Sequence, residues 1–445
     1  MQIKRLIAVI LCFVLLQPVI KAGAADTSAP SIESKRAIIV NLETNIVLFE
    51  EGARERTAPG NLNMIVTALI VLNNVPDLDT MVTINSSVQD GVANDKNALT
   101  ASLKPGEQIS VSNLLYCMFT RNACDAANAL AEHVAGSVKD FVPMMNDYVK
   151  KLNCKDTNFT NPSGIDDTNQ YTTAYDMFLI TKAAYTAPKF MDYANIQYKR
   201  ISATNITDDR NYYSTNNLIV SSPDRFVSDY YYKYARGIIA SYTPESGYSV
   251  ATAVKANNLN YICIVMGGTR NSENKRKSCF IDAKALSSWV FDNYKSVQVL
   301  KAKEPVTEVP VSLSSLADSV VLISPDGYTT LLPNSVDENS LQRKIEMKEH
   351  PVKAPIKKGD ELGEVEFIYN GVEYGRAPLV SQSNVSRSTI LFIMHEIMAF
   401  LTSIALRILI VAAILLFIGY IIITYLNKRK RSQRRYGGRR YKRYR

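Results

Sequence analysis

Apolar positions change their spacing along the chain, and the changes mark its elements. Residues 36–49 (RAIIVNLETNIVLF) hold two short apolar runs around Glu43-Thr44-Asn45, which predicts two strands joined by a turn. Pro59-Gly60-Asn61 punctuates the chain before Leu62–Leu72, an apolar run that predicts a helix. Leu114–Phe119 and Asp125–Ala135 predict further helices, the second stopped by Gly136, and Val138–Leu152 and Thr173–Ala184 keep the helical spacing. Strand-like segments return at Tyr248–Val254 and Tyr261–Gly267, and Ala283–Tyr294 predicts a closing helix. Strands first, helices in the middle and strands late predict an α+β domain over 36–300, with helices packed on an antiparallel sheet. After Pro305 the pattern shortens, and Asp326-Gly327 and Asn370-Gly371 are hairpin turn dipeptides. A small all-β domain is expected over 305–382, spacing the main domain from an anchor.

Both ends carry membrane patterns. Lys4 and Arg5 precede the apolar run Leu6–Leu16 and the small residues Ala22-Gly23-Ala24-Ala25, so residues 1–25 read as a signal peptide. Ile408–Leu426 is 19 residues without a charge, enough to cross a hydrocarbon core of ~30 Å. The preceding 388–407 is also apolar, but its polar residues recur at Ser388/Thr389, His395/Glu396 and Thr402/Ser403. That spacing predicts an amphipathic helix lying in the interface, followed by the span at 408–426. Residues 427–445 form a basic tail, expected to stay in the cytoplasm by the positive-inside rule. Lys428–Arg445 is then a candidate partner for anionic lipid.

Charge sharpens this picture. The net +9 of the 445 residues suggests a nucleic-acid binder until its placement is read. Removing +3 for the first 25 residues and +11 for the last 18 leaves −5 between them, so nucleic acid is an unlikely partner of the body. Cys117, Cys124, Cys154, Cys263 and Cys279 remain once Cys12 leaves with the leader, and buried free thiols are the expectation. No Cys or His spacing matches a zinc site, so no metal and no cofactor is expected.

Asp125–Ser137 (DAANALAEHVAGS) and Thr157–Met177 (TNFTNPSGIDDTNQYTTAYDM), with Gly237–Thr243 and Gly247, make the sequence resemble the D-alanyl-D-alanine carboxypeptidases, or low-molecular-weight penicillin-binding proteins. The resemblance runs through leader, peptidase domain, β-rich domain and C-terminal anchor in that order. It implies a β-lactamase/transpeptidase-like fold and a serine-type D-Ala-D-Ala carboxypeptidase acting on peptidoglycan.

The resemblance breaks where that family does its chemistry. Its Ser-x-x-Lys pair, a nucleophile and a base one helical turn apart, falls on Asn61 and Met64. Its Ser-x-Asn falls on Asn122-Ala123-Cys124, and its Lys-Thr-Gly on Ile239-Ala240-Ser241. Asn61 reads as a helix N-cap and Met64 as core, and with both family cations replaced an apolar cleft is expected. Two replacements are weighed and set aside. Ser272-Glu273-Asn274-Lys275 also fits Ser-x-x-Lys but sits in a charged loop. Cys124 is near the expected cleft, but His133 is nine residues on, more than two turns away. Tyr230-Tyr231-Tyr232-Lys233-Tyr234 could stack on glycan strands, with packing the favoured reading.

A catalytically inactive envelope protein that binds or scaffolds peptidoglycan or wall enzymes is therefore the leading expectation. An active carboxypeptidase with displaced catalytic groups is the alternative, and an envelope sensor acting through the basic tail a second one.

Overall fold

Strands β1 (Arg36–Asn41) and β2 (Ile46–Glu51) form where the two apolar runs fall, with Asn45 at positive φ in the connecting turn. The computed structural model describes residues 20–21, 28–221, 229–256 and 259–437. Within it β3 (Ala235–Thr243), β4 (Gly247–Ala256) and β5 (Leu259–Gly268) complete an antiparallel sheet. The order is β2, β1, β5, β4, β3, with Ile20–Lys21 adding two residues parallel to β2 at the other edge. The leader expected at 1–25 otherwise lies outside the described residues.

Period-two alternation sorts the sheet's side chains onto two faces. Ile38, Val40, Ile262, Ile264 and Ile239 enter one core, and Ala37, Ile39, Cys263, Val265 and Ala240 enter the other. On the first face pack α1 (Met64–Asn74), α2 (Val111–Arg121), α3 (Cys124–Ala135), α4 (Val138–Lys151) and α5 (Ala174–Thr186); on the second packs α6 (Ser278–Asn293). The α+β architecture is the one the pattern predicts. Helix starts follow capping chemistry: Ser110, Ser137 and Thr173 accept from the N–H of Asn113, Asp140 and Asp176. Gly136, left-handed at φ 82°, ends α3.

A hairpin that the pattern does not announce, Tyr198–Ile201 with Arg210–Tyr213, is tied to the loop before α2 by a buried ion pair. Arg210 pairs with Glu107 and donates to the Ala101 carbonyl at 2.9 Å. Asp125, fully buried, accepts from the N–H of Ala101 and Leu103 at 2.8 and 3.0 Å, and burial pushes its carboxyl above the usual range.

Contacts divide the chain into two units: residues 1–299 with 329–343 and 367–375, and residues 300–328 with 344–366 and 376–445. The 305–382 segment thus contributes to both. At Asn370-Gly371 the expected hairpin forms, both residues at positive φ between Glu361–Tyr369 and Val372–Ser381. Asp326-Gly327 makes a turn but no hairpin. Tyr328–Pro333 pairs with Tyr294–Leu300, while Ser319–Ile323 pairs with Pro305–Ser312 and with Val372–Ser381. Turn dipeptides fix local direction, and the choice of partner strand rests with long-range packing.

In the second unit, Ser388 caps the helix Thr389–Thr402, and Ser403 in extended geometry breaks it from the helix Ile404–Gly437. Arg407–Arg429 is long and apolar enough to cross a membrane.

Candidate functional site

Asn61 lies in a single tight turn, Gly60–Asn63, that leads into α1. The expected N-cap role fails. The N-cap positions of the turn and of α1 are Pro59 and Asn63, neither of which makes a side-chain cap bond, and the Asn61 amide is used across the fold. Its N–H donates to Ser241 Oγ at 2.7 Å, and its Nδ2 donates to the Ser163 carbonyl at 2.9 Å. Its Oδ1 accepts from Ser241 Oγ at 3.2 Å and from Asn122 Nδ2 at 3.4 Å. Met64, one turn on, is fully buried in the core, as its apolar side chain predicts.

The seven residues expected at the motif positions therefore divide by chemistry. Asn61, Asn122, Cys124 and Ser241 converge, while Met64, Ile239 and Ala240 pack in the two cores. Asn122 ends α2 in a left-handed conformation that asparagine tolerates, φ 53°. From there its Nδ2 donates to the Ala240 carbonyl at 2.6 Å, and its Oδ1 accepts from Thr215 Oγ1 at 2.9 Å. A carbonyl of the edge strand β3 is thus bonded by the chain's own side chains.

Cys124 Sγ sits 3.7 Å from the carbonyls of Asn122 and Ser163 and 3.8 Å from Asn61 Nδ2. Burial pushes its thiol up to about 12, so at neutral pH it is a protonated bystander. His133 lies elsewhere, lining a separate cavity beside Met81–Val88. Ser272-x-x-Lys275 is an exposed turn in which Lys275 Nζ donates to the Ser272 carbonyl at 2.6 Å.

In place of the expected apolar cleft, Asn61, Asn122, Cys124 and Ser241 form a polar network, while Met64, Ile239 and Ala240 stay in the cores. Two glycines permit it. Gly164 is at φ 79°, and a side-chain carbon there would stand 2.6 Å from Asn61 Cα and 2.5 Å from the Gly60 carbonyl carbon. Gly60 is at φ 51°, and a carbon there would stand 2.7 Å from Ser246 Oγ. The loop bearing Ser163 and Gly164 consequently lies directly on residues 60 and 61. A neighbouring cavity of about 500 Å³ is lined by Arg56, Ala58, Asp166, Gln170, Tyr171 and Glu245 among others, and none of the converging residues reaches it. Sequence reasoning names Ser241 and quotes the segment that holds Ser163 and Gly164 without assigning them a role, and it misses Thr215.

Most of the tyrosine run packs, with Tyr231 exposed. Tyr230 is buried against Phe280 with ring centroids 5.2 Å apart, and Tyr234 meets Tyr232 and Phe291 at 5.4 and 5.5 Å. The run precedes β3 and lies outside the strand itself.

Chemically, the network offers two side-chain amides, the hydroxyls of Ser241 and Thr215, and a neutral thiol. Among the described residues, no lysine, histidine or carboxylate hydrogen-bonds Asn61, so no base stands beside it.

Comparison with known proteins places these positions in context. Residues 23–270 match the family described as D-alanyl-D-alanine carboxypeptidase, and residues 294–387 match the C-terminal domain of penicillin-binding protein 5. The D-alanyl-D-alanine carboxypeptidase DacF of Bacillus subtilis is 25% identical over 396 residues, covering 86% of this chain and 95% of its own. DacC of Escherichia coli is 27% identical over 380 residues, covering 83% and 89%. The structure of penicillin binding protein 5 from Haemophilus influenzae aligns with TM-score 0.67 and 24% identity, covering 81% of this chain and 99% of that one.

Proposed function

Because the chain belongs to the D-alanyl-D-alanine carboxypeptidase family, we propose that it keeps the family scaffold around a closed, non-acylating site and serves the cell envelope as a binding or scaffolding protein for peptidoglycan or wall enzymes. One observation carries this reading. The residue at the nucleophile's position, Asn61, is buried, and its polar groups bond to Ser241, Asn122 and Ser163. A serine nucleophile needs a free hydroxyl, an adjacent base and room for a carbonyl above it. Asn61 supplies an amide whose nitrogen is a poor nucleophile, Met64 supplies no base, and the Ser163 carbonyl already takes the Asn61 side-chain nitrogen.

The names of the relatives favour the other reading, a working carboxypeptidase with displaced groups. The two replacement nucleophiles considered from the sequence weigh against it. Cys124 is neutral and enclosed, and Ser272 stands in an exposed turn without a cleft. The proposed topology places the body outside the membrane, residues 408–426 across it and the basic tail in the cytoplasm, with Thr389–Thr402 in the outer interface.

The test uses the full-length protein in detergent micelles, given a peptide ending in D-Ala-D-Ala, with an active relative as control. No D-alanine release above buffer, together with co-sedimentation on purified sacculi or capture of a wall enzyme, is the expected result. Release at the control's rate would overturn the inactive reading. Failure to retain either partner would overturn the scaffolding role.

A further inference from the structure

We propose that the face of the edge strand β3 opposite the closed site is a binding platform for an anionic glycan chain. This deepens the envelope-binding reading by naming a ligand class and a surface, and rests on it only for placing the protein in the envelope.

The sheet's alternation separates the two surfaces. Ser241 points with Ile239 toward the helices of the first face and seals the motif positions; Tyr242 points to the second face. There it lies directly across from Tyr248, the rings stacked at 4.3 Å and 28°. Tyr242 is 45% exposed, on the outermost strand of the sheet. A stacked aromatic pair at an edge presents a broad, rigid, apolar surface with hydroxyl rims, at little cost in side-chain entropy.

Cations frame this surface. Lys277 Nζ lies 5.3 Å from the Tyr248 ring centroid, and the Arg270 guanidinium reaches the Tyr248 hydroxyl. Both belong to the loop 269–277 (TRNSENKRK), which contains the Ser-x-x-Lys look-alike and is exposed through residue 276. Arg276 is ion-paired with Asp229. Arg270, Lys275 and Lys277 form no ion pair among the described residues, and Glu273 is the loop's one acid. This concentration of cations stands on a body whose own charge is −5, so it is local.

The chemistry selects the ligand. The C–H face of a pyranose ring packs on the negative face of an aromatic ring, so Tyr242 takes the sugar. Carboxylates or phosphates along the chain then reach Arg270, whose planar fork suits them, and Lys277. A neutral glycan uses only the ring, and a polyanion without sugars uses only the charges.

The experiment measures affinity of the full-length protein in detergent micelles for three polymers: polygalacturonate, dextran and polyphosphate. Polygalacturonate is expected to bind tightest. Tyr242→Ala should weaken it about tenfold, Tyr242→Phe should preserve it, and Arg270→Glu should weaken it more at low salt than at high salt. Tyr242 is exposed, so these variants are expected to fold, and an unchanged melting midpoint checks that. No binding of polygalacturonate, equal binding of dextran or polyphosphate, or an unaltered Tyr242→Ala affinity would each overturn the proposal. Penicillin acylation would defeat the inactive reading while leaving this result untouched.

Discussion

The hydroxyl of Ser241 stands 2.7 Å from the backbone nitrogen of Asn61 and 3.2 Å from its side-chain oxygen, although the two residues are 180 positions apart. Strand β3 is thereby tied to the turn that leads into α1. Ser241→Ala removes the acceptor of a buried N–H, and Asn61→Ala leaves the Ser163 carbonyl and Asn122 short of a partner. Each is expected to lower stability by about 1–3 kcal/mol, and the double variant by less than the sum. Denaturant midpoints check this; unchanged midpoints would mean the network is not formed in solution.

The buried thiols make stability fall on the alkaline side. Cys117 and Cys124 are both pushed up to about 12 by burial, above the ordinary thiol value of about 8.5. The folded state keeps these protons when the unfolded chain has lost them. Their stabilisation is thus full below about pH 8.5 and declines as pH rises from there toward 12, at up to ~1.4 kcal/mol per pH unit per thiol. Unfolding measured at pH 7, 9 and 10.5 should show the fall, and a Cys117→Ala/Cys124→Ala variant a shallower one. In the native protein at pH 8 the five described thiols, all buried, should resist alkylation.

Arg210 and Glu107 are 9% and 0% exposed at their side chains, so this ion pair is deeply buried. Arg210→Ala strands the Glu107 carboxylate beside Thr204 and Thr207, at an expected cost of about 3–5 kcal/mol. Arg210→Lys should recover only part, because lysine cannot serve both Glu107 and the Ala101 carbonyl with a planar fork. Thermal melting of the two variants distinguishes the cases.

The elements were legible where apolar periodicity is local. Strands β1 and β2 and helices α3 to α5 lie within a few residues of their predicted bounds. That Asn61, Met64 and Ile239 stand where the family has its nucleophile and cations is an expectation that rests on motif spacing in the sequence. The closure was not legible. It depends on Gly164 allowing a loop onto residue 61, on a left-handed Asn122, and on Ser241 pointing inward. None of these leaves a periodic trace. Asn61 at the start of an apolar run reads as a cap by local rules, and only distant partners redirect its amide. The hairpin Tyr198–Tyr213 escaped for a related reason: apart from the buried Ile201, its strands alternate exposed with half-buried side chains that are charged, amide or tyrosine.

The anchor can be dissected by truncation. The full chain should remain with membranes after carbonate and high salt. A chain ending at residue 407 keeps the exposed apolar helix Thr389–Thr402 but loses the span, and should leave with carbonate. A chain ending at residue 387 should be soluble without treatment. Carbonate-resistant retention of either truncation would contradict the assignment of the span.

The central claim, a closed site that cannot be acylated, is tested most directly by intact-mass measurement of the full-length protein after incubation with a penicillin. An unshifted mass, beside complete modification of an active relative, is the predicted result. A stoichiometric increase equal to the mass of the penicillin would contradict the claim, and peptide mapping of the adduct would identify the nucleophile.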